Sequence, residues 1–176
     1  MREFLKKIKL IDNFTTTLQL SRQDFIKRLS QITDKGNTNA FSDPFEAFSS
    51  SKSEFKGEIN HNGFKLRRRR KLFERTSNIA VATGNVKEEN GQLTIQTEIY
   101  GFTNFMYVFY GFLILFYSVF IICFISDNKI PFFVFPFLIF HAALMTLIPY
   151  FLMRSSVKKM KYELEREFFY LTKSNG

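Results

Sequence analysis

The chain has 176 residues, with 24 Phe, no Trp, one Cys and a formal net charge of +9. A single cysteine excludes an intrachain disulfide, and the length allows one small water-soluble unit beside any membrane segment. The sequence holds no nucleophile elbow, phosphate loop or metal-ligand constellation, so no enzyme class and no cofactor is expected from it.

The opening residues, MREFLKKIKLIDNF, are basic but lack a continuous apolar core and a small-residue cleavage site, so they do not read as a signal peptide. Residues 14–20 (FTTTLQL) are rich in β-branched side chains and predict a short strand. Ser21, with Asp24 three residues on, forms a capping-box pattern. Phe25, Ile26, Leu29 and Ile32 supply the apolar face of the helix that follows, which should end near Thr33. Residues 34–53 are rich in Ser, Asn, Asp and Gly, with Phe41, Phe45 and Phe48 among them. They read either as a loop pinned by those aromatics or as a disordered linker.

A β-meander follows. Residues 55–59 and 64–66 flank an Asn62-Gly63 pair, and residues 79–86 and 93–99 flank Asn90-Gly91. Asn-Gly is a strong signal for a tight hairpin. Leu93, Ile95, Thr97 and Ile99 alternate with polar residues, which predicts one buried and one wet face.

The last strand runs almost directly into an apolar stretch. No Asp, Glu, Lys or Arg occurs between Glu98 and Asp127, nor between Lys129 and Arg154. About 20 apolar residues in a helix cross a hydrocarbon core roughly 30 Å thick. Both stretches are long enough, and the short turn around Asp127-Asn128-Lys129 forces an antiparallel hairpin. Tyr100, Tyr107 and Tyr150 are placed like interfacial anchors. Residues 1–101 carry eighteen Lys/Arg against twelve Asp/Glu, and residues 154–176 carry six against three, while the turn is neutral. Positive flanks mark the cytoplasmic side, so both termini are expected there. Residues 156–172 then show Val157, Met160, Leu164, Phe168 and Leu171 at helical spacing. Their stripe needs a partner, and the sheet is the nearest.

The expected fold is therefore an α+β membrane protein. It has a small cytosolic antiparallel sheet of about five strands with one N-terminal helix (1–101). A two-helix transmembrane hairpin follows (102–153, spans about 104–125 and 131–152). A basic C-terminal amphipathic helix (154–176) packs back on the sheet. The run Phe55-Lys-Gly57-Glu-Ile59 … Phe64-Lys-Leu66-Arg-Arg68, followed by a second hairpin and two spans, resembles a set of small uncharacterised bacterial membrane proteins. The similarity covers residues from about 14 to 125. The Arg-Asn-Ser-Phe-like stretch of those proteins is degenerate here, as Arg75-Thr-Ser-Asn78. The resemblance implies this architecture and a bacterial inner (plasma) membrane, and it brings no activity, cofactor or site.

Two basic clusters are candidate contacts for anionic lipid headgroups: Arg67, Arg68, Arg69, Arg70 and Lys71, and juxtamembrane Arg154, Lys158 and Lys159. On a strand the first cluster splits between two faces, with Arg68 and Arg70 on the side of Phe64 and Leu66. The plainer readings are an edge strand protected by charge and a topology-fixing stop signal. Nucleic acid is not expected, because no binding module accompanies the charges. His141 falls within the second span, where an ionisable group is a functional candidate. With no carboxylate in either span, it reads more simply as a hydrogen-bonding link to Tyr110, Tyr117 or Ser118. Phe105, Phe109, Phe112, Phe116, Phe120 and Phe124 form a stripe on the first span, facing hairpin, oligomer or lipid, and Gly111 is the small residue that would admit a close helix.

The expected function is a non-enzymatic, membrane-anchored accessory protein whose cytosolic unit binds a protein partner and anionic lipid. The alternative is a small transporter or channel subunit acting as a homo-oligomer through its hairpin.

Overall fold

The computed structural model describes residues 1–39, 46–48, 51, 53–70, 78–89, 91–126, 131 and 134–173. The chain divides into two compact units, Met1–Phe102 with Met153–Gly176, and Thr103–Leu152.

The first unit is α+β. Its elements are α1 (Arg2–Lys7), β1 (Ile11–Leu18), α2 (Arg22–Gln31), β2 (Thr33–Lys35), a 3-10 turn at Glu46–Phe48, β3 (Phe55–Asn60), β4 (Gly63–Arg68), β5 (Val81–Glu89) and β6 (Gln92–Tyr100). The C-terminal part of α4 (Val134–Lys173) completes it. The six strands form one sheet in the order β1-β6-β5-β4-β3-β2. All neighbours are antiparallel except β2, which pairs parallel to β3 from Thr33↔Phe55 to Lys35↔Gly57. This corrects the expected all-antiparallel sheet of about five strands. The chain leaves α2 at Ile32, whose carbonyl accepts from Glu54 and Phe55, so the next three residues fall into register beside β3.

Local signals explain the remaining elements. Ser21 Oγ accepts from the Asp24 N–H (3.1 Å), which caps α2 as the sequence pattern requires. At the β5–β6 hairpin Gly91 takes φ +78°, a conformation open to glycine without a Cβ penalty. The β3–β4 hairpin differs from expectation. Asn60 pairs with Gly63, so the two loop residues are His61 and Asn62. Gly63 is required by close approach instead, since a Cβ there would lie 2.1 Å from the Gly84 carbonyl oxygen on β5.

One face of the sheet is apolar. Leu18, Leu66, Ala82, Val86, Leu93, Ile95 and Ile99 join Phe25 and Leu29 of α2 and Val157, Met160, Leu164 and Phe168 of α4 in a single buried cluster. Phe168 has no exposed surface and stands 5.5 Å from Phe25 and 5.9 Å from Phe64, centroid to centroid. The predicted C-terminal stripe thus closes the core. It belongs to a helix that runs unbroken over 40 residues from Val134 through Pro149 to Lys173, not to a separate helix after the apolar stretch.

The second unit contains α3 (Asn104–Ser126) and the start of α4. Both helices are long and apolar enough to cross a membrane. Of their most apolar windows, 6% and none of the residues are buried. Phe124 packs on Phe135, with centroids 4.9 Å apart, while Phe105, Phe112, Phe120, Phe137 and Phe140 are exposed. Gly111, the small residue that would admit a close helix, has none against it among the described residues of this chain: a Cβ there would meet nothing within 4 Å. Pro136 falls in the first turn of α4, where a missing N–H costs no helical bond. The turn residues 127–130 and Phe132 and Phe133 lie outside the described residues.

Candidate functional site

The arginine run does not form an exposed basic patch. Strand alternation puts Arg67 and Lys65 on the face opposite Leu66. There the 3-10 turn brings Glu46 onto Arg67, with Nη1 to Oε2 at 2.7 Å and both side chains buried. Lys56 Nζ lies 3.7 Å from the other Glu46 oxygen. Arg67 is 0% exposed, and Arg69, at 5%, donates to Asp34 at 2.6 Å. Neither guanidinium has surface to offer a headgroup, which corrects the lipid reading for these two residues. Burying a cation is costly unless a carboxylate comes with it, and each has one.

Arg68, on the core side, reaches Glu163 of α4 (3.7 Å) and Glu54 (3.9 Å), so it ties strand to helix at the rim of the core. Arg70 is half-buried, and Lys71 lies outside the described residues. Of the second cluster, Arg154 and Lys158 are exposed and Lys159 is half-buried.

The sheet face opposite the core is polar, and no helix of the apolar cluster covers it. Near its β1 edge it holds an open groove of about 390 Å³. Asn13 and Thr15 of β1, Gln96 of β6, and Thr83 and Asn85 of β5 line it. At one end Arg2 donates to both oxygens of Glu98 at 2.5 Å, and the Tyr100 hydroxyl donates to Glu98 as well. Tyr100, expected as an interfacial anchor, is committed to this carboxylate. Burial alone would raise the Glu98 pKa, but the hydrogen bonds from Arg2 and Tyr100 and the charges of Arg2 and Lys6 outweigh it and hold the carboxyl below its ordinary value. Burial first, and then the neighbouring carboxylate, push the Tyr100 phenol up. The groove therefore offers exposed amides and hydroxyls beside a charge-matched pair. Such groups recognise by hydrogen bonding. The alternation of Gln96 and Glu98 with core residues was readable as a wet face, whereas the Arg2 contact, 96 residues away, left no local signal.

In the second unit the Tyr117 hydroxyl and His141 Nδ1 are 2.7 Å apart. This is one of the links expected for His141. Tyr110 instead donates to the Thr146 carbonyl (3.2 Å), and Ser118 to Ile114 on its own helix (2.7 Å). Among the described residues no group of three or more His, Cys, Asp or Glu is placed to hold a metal ion.

No protein-family model, curated protein or solved structure matches this chain.

Proposed function

We propose that this protein is a membrane-anchored interaction protein. α3 and the apolar part of α4 span a bacterial inner membrane as a hairpin, with both flanks on the cytoplasmic side. The α+β unit presents its polar sheet face to a protein partner. The observation that carries the reading is the contrast between two kinds of surface. The apolar helices leave almost all of their side chains unburied, which water would penalise at roughly 25 cal/mol per Å². The open sheet face carries a groove lined by hydrogen-bonding groups instead. The basic flanks and neutral turn support the orientation.

The test is site-specific photo-crosslinking in the native membrane, with the reactive residue at Gln96 or Thr83 in the groove. The expected result is one defined adduct with a different protein, absent when the probe is moved to Lys159. An adduct with a second copy of the chain alone would move the weight to an oligomeric hairpin acting in transport. No adduct at either groove position would remove the partner reading. A cysteine at Asn128, labelled only from outside the cell, tests the orientation separately.

A further inference from the structure

We infer that α1 is a foot on the membrane surface, with Met1 and Phe4 seated at the headgroup boundary and Lys7 and Lys9 on the phosphates of anionic lipid. The inference rests on the hairpin spanning the bilayer as proposed above.

Helix α1 turns Leu5 inward, buried, and leaves Met1 84% and Phe4 62% exposed. Its end is fixed by two nested hydrogen bonds. Leu10 N–H donates to the Leu5 carbonyl and Lys9 N–H to the Lys6 carbonyl, both at 2.9 Å. That motif requires a left-handed residue at Lys9, which has φ 60° and is the one non-glycine residue with positive φ among those described. Glycine is the usual occupant of this position, since a side chain there is penalised. A lysine in that place points to a use for its charge.

The Leu10 carbonyl accepts from Gly101 N–H at 2.8 Å. Gly101 in turn lies against Met153 and Val157, where a Cβ would meet Val157 Cγ2 at 2.6 Å. Within its own unit, α1 is thus pinned at the end where the chain departs for α3, three residues after Gly101, and returns along α4 at Met153. Lys7 and Lys9, at the C-terminal cap of α1 just before Leu10, and Arg154 and Lys158, within two turns of Met153 on α4, are exposed cations. Arg2 and Lys6 have Glu98 and Glu3 as partners, but these four make no ion pair among the described residues. Exposed apolar groups beside unpaired cations, next to chain segments entering a bilayer, match an anionic surface.

The test uses the full chain with Cys123→Ser, reconstituted in phosphatidylcholine vesicles containing about a third phosphatidylglycerol. Single cysteines at Phe4, Lys65 and Ile122 carry an environment-sensitive fluorophore. Brominated acyl chains and aqueous iodide serve as quenchers. The Phe4 label should be at least about threefold less open to iodide than the Lys65 label on the open sheet face, and quenched by lipid brominated near the headgroup. The double variant Lys7→Gln with Lys9→Gly should reverse this, as should vesicles without phosphatidylglycerol. Lys9→Gly removes the charge while easing the backbone, so a reversal in a folded variant reports charge and not unfolding. If the Ile122 label is lipid-quenched while Phe4 is as open to iodide as Lys65, the hairpin stands and the foot is overturned. If Ile122 is not lipid-quenched, the spanning reading fails and the foot with it. Protection at Phe4 that ignores both the lysines and the lipid charge overturns the headgroup contact.

Discussion

Arg67 and Glu46 form an ion pair with Nη1 and Oε2 2.7 Å apart, both side chains withdrawn from solvent, on the sheet face that is otherwise open. The two residues are 21 positions apart, and Arg67 Nε and Nη2 make no hydrogen bond among the described residues. A buried pair of this kind contributes little net stability when compared with apolar residues, but removing one partner strands a charge. Glu46→Ala should therefore cost about 3–5 kcal/mol. The double change Glu46→Leu with Arg67→Met should recover most of that loss. Thermal melts of the full chain in mild detergent decide the matter. A single variant as stable as the parent would mean that Arg67 reaches water.

Ser156 links helix to sheet in a way that composition gives no hint of. Its Oγ accepts from the backbone N–H of both Ile79 (3.1 Å) and Ala80 (2.9 Å), just before β5. The site is buried, so the two donors have no water to turn to. Ser156→Ala should cost about 1–3 kcal/mol. The neighbouring Ser155 is exposed, and Ser155→Ala should change stability by less than about 0.5 kcal/mol. Equal effects of the two changes would sink the bridging role.

These two contacts mark what sequence reading reaches and what it does not. α2 and the β5–β6 hairpin follow from short-range chemistry: the Ser21 cap, and Gly91 at positive φ. The Phe168 stripe follows from helical periodicity, and the wet face from the alternation in β6. What stayed hidden depends on distant residues. β2 has three residues and no alternation, and exists because β3 lies beside it. The arginine run reads as surface because arginines seldom lose all solvent, and Glu46 on Arg67 and Asp34 on Arg69, both distant in sequence, change that. The continuity of α4 past Arg154 was legible, since no Gly or Pro interrupts residues 150–173.

Acid should loosen the α+β unit through two carboxylates. Glu98 lies below its ordinary 4.5, for the reasons given above. Asp34 lies below its ordinary 3.8, first through a hydrogen bond from Ser51, with burial opposing, and then through Ser53 and the charges of Arg69 and Lys56. A depressed folded pKa means that the unfolded chain takes up protons first. The stabilisation is thus complete above the ordinary values and drains away as pH falls through the folded ones. The melting temperature should decline from about pH 4.5 downward. Glu98→Gln and Asp34→Asn should each start lower at neutral pH and fall less steeply in acid. A parent protein with a flat profile between pH 5 and pH 3 would contradict both pairings.

The Tyr117–His141 contact gives the hairpin a polar tie between two apolar helices. With the hairpin in a bilayer, as proposed, such a bond is worth about 0.6 kcal/mol on average, because the separated helices find other partners for the same groups. Tyr117→Phe removes the hydroxyl and keeps the ring, which also packs edge-on to His141 at 6.1 Å. His141→Leu removes the other half. Each single change should therefore cost about the same small amount, and the double change no more than either alone. A double-mutant cycle on unfolding of the full chain in mixed micelles reads the coupling directly. A coupling near zero would mean that the two groups part in the micelle and that His141 looks elsewhere for a partner. A coupling well beyond about 2 kcal/mol would exceed what one hydrogen bond supplies, and would require a wider polar network around His141.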